Sequence, residues 1–302
     1  MVWQTGTAVS PETFEEQIRF FTSRYQCVSL REYLETREKG GSAANNLLVI
    51  TFDDGYIDNL ETAVPILRRY GATATFFLIG SHLEGERPSP VALYNIIYDR
   101  SSRPEAAALN RKLNRDRLVR SGIEALGISA ALWGEDFDRL EWQSHFISRE
   151  QARKMHAEGF EIGAHGYHHL AASALEAGEF KEDAVRARQA IFDAVNEPRP
   201  GFAYPFGSNP FPGEGPARAI VTANFDYAVT SQEGLNRSST DRYRLYRITM
   251  DEIPLHVVMF RLTGLRGGLK TVFQRWQRSA SRIHSAPSPL SSPPMGERNS
   301  IK

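Results

Sequence analysis

Leu47 to Phe52, LLVITF, is an unbroken apolar and β-branched run that ends abruptly in Asp53, Asp54 and Gly55. Such a run is the pattern of a strand buried on both faces, and strands of that kind belong to parallel sheets covered by helices. Polar residues begin where the strand ends. Residues 58–70, DNLETAVPILRRY, read as a helix stopped by Gly71, with Pro65 weakening its interior. Ala72 to Ile79 then reads as a second buried strand, which completes a strand, helix, strand unit.

The unit recurs. Ser148 with Gln151 makes a capping box for a helix ending at Gly159, and Phe160 to Ala164 reads as a strand running into His165. Ala177 to Val195 is helical, Phe202 to Phe206 extended, Pro216 to Asn224 helical, and Tyr227 to Thr230 and Leu245 to Thr249 extended. Upstream, Ser10 as N-cap, Pro11 at the first helical position and Phe14, Ile18 and Phe21 at helical spacing mark an amphipathic helix over 10–25. This alternation implies an α/β fold with a parallel sheet inside and helices outside, open or closed into a barrel. In barrels, function collects where the strands end.

One stretch, about 84–144, breaks the rhythm with a helical, Arg-rich segment and reads as an insertion between two barrel units. Its Trp133 and Trp142 either stack on sugar rings or fill the core, as large aromatics usually do. The folded domain is expected to span 1–281, followed by a disordered Pro- and Ser-rich tail over 282–302.

Thirty-six basic residues balance thirty-six acidic ones, so no overall field draws the chain to nucleic acid or an anionic membrane, while a neutral glycan fits. No window reaches the roughly 18 apolar residues of a membrane span, and no signal peptide is visible, so the chain as written reads as soluble and cytoplasmic. Cys27 stands alone and has no internal disulfide partner.

Asp53 and Asp54 are neighbours at a strand end, where adjacent side chains diverge. Two different tasks, one carboxylate on a metal and one free as a base, suit that geometry better than a matched dyad. The bland alternative is that both only cap the following helix. His165 and His169, in HGYHH, lie four positions apart directly after another strand. They can converge on one ion if the chain turns, and imidazole with carboxylate suits a cation such as zinc. His168 reads as a supporting or exposed residue.

TFDDG, the histidine pair after EIGA, and Phe202-Ala203-Tyr204-Pro205-Phe206-Gly207 resemble, in order and separation, the first three motifs of the polysaccharide deacetylases, the NodB-homology domain of carbohydrate esterase family 4. The FAYPFG wording is similar to the branch associated with bacterial exopolysaccharides. The resemblance, over about residues 10 to 250, implies a distorted (β/α) barrel with about seven parallel strands. It implies that Asp53 is the catalytic base, that Asp54, His165 and His169 hold Zn²⁺ or another divalent metal, and that the Phe206 backbone N–H steadies the oxyanion. By order, His256 stands nearest to the family's late Leu-x-His proton donor, although it lacks the leucine spacing. The implied reaction is hydrolysis of N-acetyl groups, a carbon–nitrogen bond, on an amino-sugar polymer.

Two departures stand out. The second residue of the histidine motif is usually Ser or Thr and here is Gly166, and the arginine that steadies the base in many members is replaced by Ala203. Neither the brace of the histidine loop nor the partner of Asp53 is therefore visible in the sequence. An O-acetyl esterase and a glycan-binding pseudoenzyme remain as alternatives at this stage.

Overall fold

The computed structural model describes residues 9–40, 46–86, 88–100, 119, 121–122, 124–126, 142–207, 215–250 and 252–262. Its strands are β1 (Gln26–Val28), β2 (Leu47–Val49), β3 (Thr51–Phe52), β4 (Thr75–Leu78), β5 (Glu161–Ala164), β6 (Phe202–Ala203), β7 (Ala228–Glu233) and β8 (Leu245–Arg247). Every pairing between these strands is parallel. β1 pairs only with β2, and β3 to β8 form one six-stranded sheet in sequence order, curled into a half-barrel. The expected strand over 47–52 is thus broken at Ile50, whose carbonyl accepts the Thr75 N–H at 2.9 Å. Among the described residues the curled sheet has six strands.

The helices are α1 (Pro11–Thr22), α2 (Leu30–Lys39), α3 (Val64–Arg69), α4 (Gly80–Leu83), α5 (Pro90–Arg100), α6 (Arg149–Ala157), α7 (Ala177–Val195), α8 (Gly215–Asn224) and α9 (Leu255–Leu262). Local signals placed several of them. Ser10 caps α1, and Ser148 and Gln151 close a capping box on α6. The continuous helix expected over 58–70 is instead a π-helical turn at Asn59–Ala63 followed by α3. Pro65 is the physical reason: it cannot donate to the carbonyl four residues back, and Val64 just before it donates to Asn59, five back. The extended segment expected over 202–206 ends early, since the chain turns and Gly207 N–H bonds back to Tyr204 C=O at 3.1 Å.

Side chains alternate between the two faces of the curled sheet. Phe76, Leu78 and Phe202 face outward and pack against Ile18 of α1, Met155 of α6 and the alanines 184, 187, 190 and 194 of α7. That stripe of small residues lets α7 lie close to the sheet. Phe77, Ala203, Val229 and Leu245 face the concave side, which α2 covers with Leu30 and Leu34. Asp53 and Arg247 continue this inward phase, two positions beyond Thr51 and Leu245.

Trp142 is fully buried, with its ring 6.1 Å from Phe146 and 5.9 Å from His82, so it is a core residue and not a sugar platform. Trp133, most of the expected insertion and the tail over 282–302 lie outside the described residues.

Candidate active site

At the C-terminal ends of β3 and β5 the sequence neighbours become spatial neighbours. His169 Nε2 lies 3.2 Å and His165 Nε2 3.4 Å from the same oxygen of Asp54, Oδ1. One ligand atom from each of the three residues falls within 4.8 Å of the others. Donors on a tetrahedral zinc with bonds of about 2.0–2.1 Å lie about 3.3 Å apart, so this donor set has the chemistry and much of the spacing of a divalent site. His165 Nδ1 lies 2.9 Å from the Ala203 carbonyl. A carbonyl only accepts, so Nδ1 carries the hydrogen and Nε2 presents its lone pair toward Asp54. Burial pushes the His165 pKa down, despite opposing attraction from Asp53 and Asp54, which favours the neutral, ligating form.

The backbone at the site is strained. Among the described residues only Asp54 (φ 69°), His169 (φ 56°), Asn196 (φ 58°) and Phe206 (φ 55°) are non-glycine residues with left-handed φ. Asn196 caps the end of α7, an ordinary use of that conformation. The other three lie at the strand-end mouth, where the Phe206 ring is tilted against that of His169 with centroids 4.5 Å apart. Each such residue costs on the order of 1–3 kcal/mol and persists only where its surroundings determine it.

Asp53 is separated from that donor set by direction. Its closest approach to an imidazole is 3.9 Å, to His165 Nε2. Its two oxygens instead accept from Nη1 and Nη2 of Arg247, both at 2.7 Å. Burial opposes the charge on Asp53, but the Arg247 guanidinium and His165 outweigh it and hold its pKa down at about 2. The aspartates therefore have different neighbours, Asp53 the guanidinium of Arg247 and Asp54 the two imidazoles.

Two supporting residues were not legible in the sequence. Arg247 is one. The other is Asp183 of α7, buried at 5% exposure, whose carboxylate accepts the backbone N–H of Tyr167 at 2.8 Å and of His168 at 2.9 Å. It also pairs with His168 Nδ1 at 3.0 Å, which fixes His168 as a supporting residue. A cue existed, an acidic residue on the inner face of a helix otherwise lined by alanines and larger apolar residues, since a buried carboxylate needs partners. His82 was also unremarked. It is buried behind the site, where Nε2 accepts the Ser89 N–H at 2.8 Å and its ring lies 4.0 Å from Phe146. His256 stands exposed near the start of α9.

The chain is similar to known proteins in sequence and in fold. The YxkH protein of Bacillus subtilis (strain 168), described as a polysaccharide deacetylase, is 32% identical over 95 residues, 29% of this chain and 34% of that protein. The match thus spans about a third of that relative's length. Among solved structures, the Streptococcus pyogenes deacetylase PplD in complex with acetate has a TM-score of 0.56 at 18% identity, over 80% of this chain and 82% of that one. The de-N-acetylase of Aggregatibacter actinomycetemcomitans gives 0.57 at 14% identity over 84% and 90%, and IcaB from Ammonifex degensii 0.52 at 19% over 80% and 84%. At such identities the structural likeness is one of fold. A family model described as polysaccharide deacetylase matches residues 40–212, more than half of the chain and inclusive of both aspartates, both histidines and FAYPFG, and the chain belongs to that family.

Proposed function

We propose that this protein is a divalent-metal-dependent hydrolase that removes N-acetyl groups from an amino-sugar polysaccharide of the bacterial exopolysaccharide class. The observation that carries the reading is the convergence of Asp54, His165 and His169 on one point, with Asp53 beside them and differently held. Membership of the deacetylase family supports the reaction type. The name of the Aggregatibacter neighbour, a de-N-acetylase, is in keeping with an amide substrate, and the FAYPFG wording with an exopolysaccharide.

An amide carbonyl is a poor electrophile and water a poor nucleophile. Zinc or a similar ion held by Asp54, His165 and His169 supplies a Lewis acid beside the acetyl group. Asp53 takes the proton of the attacking water as its oxygen bonds to the carbonyl carbon. The backbone N–H of Phe206 is assigned to the oxygen that gains charge. The carbon–nitrogen bond then breaks, acetate leaves, and the sugar amine takes up a proton. His256 is the candidate donor of that proton by sequence order alone.

Metal analysis of chelator-treated and reloaded protein, followed by acetate-release assays on chitin oligosaccharides, poly-N-acetylglucosamine and acetylxylan, tests it. The expected content is about one ion per chain, abolished by His165→Ala or His169→Ala and weakened by Asp54→Asn. Asp53→Asn is expected to keep the metal while acetate release falls by a factor on the order of 10² or more. Unchanged metal content in both histidine variants would overturn the ligand assignment. Faster release from acetylxylan than from either N-acetylated polymer would make the protein an esterase, and no release from any of the three would make it a binder.

A further inference from the structure

The curled sheet runs from β3 at one edge to β8 at the other, and among the described residues these two edges share no ladder of main-chain hydrogen bonds. Arg247, at the end of β8, spans that gap. Its Nη1 and Nη2 each meet one oxygen of Asp53 at 2.7 Å, Nη1 also reaches Thr51 Oγ1 at 3.3 Å, and Nε donates to the Thr230 carbonyl of β7 at 2.8 Å. The side chain is largely buried, at 18% exposure. Every edge of the guanidinium is thereby pinned, and a planar fork pinned on one side fixes the plane of the carboxylate it grips on the other.

On β6, two strands from β8, the position is Ala203, fully buried on the concave face among Phe77, Val229 and Leu245, and its methyl offers Asp53 no hydrogen bond. Resting on the reading of Asp53 as the base, we propose that Arg247 is its positioning residue, so that an arginine from the last strand does what this chain's β6 cannot. A base must stand within hydrogen-bond reach of the water it deprotonates, and a small misplacement of such a group can cost on the order of 10²-fold in rate. The side-chain hydrogen bonds of Arg247 go to Asp53, Thr51 and Thr230, so its grip is on the base. It lies outside the family-matched residues 40–212, so the machinery of this chain extends past them.

The test uses the full chain, metal-loaded, on whichever acetylated polymer the wild type hydrolyses fastest. Arg247→Ala is expected to lower kcat on the order of 10²-fold with little change in KM and none in zinc content. Millimolar guanidinium chloride should restore part of that rate, and should leave Asp53→Asn at its floor. Arg247→Lys keeps a charge but cannot grip both oxygens, so its kcat should fall between those of Arg247→Ala and the wild type. Wild-type kcat in Arg247→Ala, or in Arg247→Lys should the alanine variant fail to fold, overturns the proposal. So do equal losses in both variants without guanidinium rescue, which would reduce Arg247 to closing the sheet. If Asp53→Asn itself retains full activity, the base assignment falls; if Asp53→Asn is inactive and Arg247→Ala is not, only the role of Arg247 falls.

Discussion

Gly166 has φ +70°, and a Cβ built there would stand 3.1 Å from Asp183 Oδ2 and 3.2 Å from Pro205. The absent hydroxyl of the histidine motif therefore has a counterpart elsewhere: the carboxylate of Asp183 occupies the position from which a side chain at 166 would brace the loop. Charge makes it the stronger brace, because a carboxylate that accepts two backbone N–H groups and an imidazole gains more than a neutral hydroxyl would. Asp183→Ala should leave those donors without a partner inside the protein. A stability loss of roughly 2–4 kcal/mol is expected. Because the same loop carries His165 and His169, zinc affinity should fall on the order of 10- to 100-fold. Thermal melts and competitive zinc titration read the two effects separately, and a variant that loses stability with unchanged affinity would show that Asp183 holds α7 and not the ligand loop.

The strands have a second end, and its chemistry differs. At the start of β5, Glu161 accepts from Thr75 Oγ1 of β4 at 2.8 Å, from the Tyr227 hydroxyl beside β7 at 2.7 Å and from the Arg31 backbone N–H of α2 at 3.1 Å. This cluster fastens α2 under the concave face, at the end of the barrel where polar groups serve stability. Glu161→Ala should cost roughly 2–4 kcal/mol in denaturant unfolding, yet acetate release per folded molecule should match the wild type. A loss of turnover as large as that of Arg247→Ala would show that the two ends of the strands are not independent. The same contrast explains what the sequence made legible. Capping boxes, the α7 span and the TFDDG and HGYHH clusters are written in residues close along the chain, and local physics reads them directly. The helix α2 was missed although Ser29 caps it, because only Leu30 and Leu34 of its face are deeply buried and its pattern is weak. Arg247 was invisible for a different reason: its partner Asp53 is 194 positions away, and only the curling of the sheet brings them together.

At the scale of the molecule, the site joins elements that the backbone alone joins weakly. Asp54 hangs from an edge strand of two residues, while His165 and His169 belong to the centre of the sheet and its following loop. An ion held between them links that edge to the core, and anything that binds the folded chain and not the unfolded one adds RT ln(1 + [L]/Kd) to stability. At a free zinc concentration about 100 times Kd the gain is about 2.7 kcal/mol. For a chain of this size that is a rise in Tm of roughly 4 °C over chelator-treated protein, at the rate of about 1.6 °C per kcal/mol. The rise should vanish in His165→Ala and His169→Ala, which lack a ligand, and persist in Asp53→Asn and Arg247→Ala, which keep all three. Those four melts separate a site from a general effect of the ion, because a nonspecific shift would appear in every variant alike. An equal rise in the histidine variants, or none in the wild type at saturating zinc, would remove the ion from the mouth of the sheet.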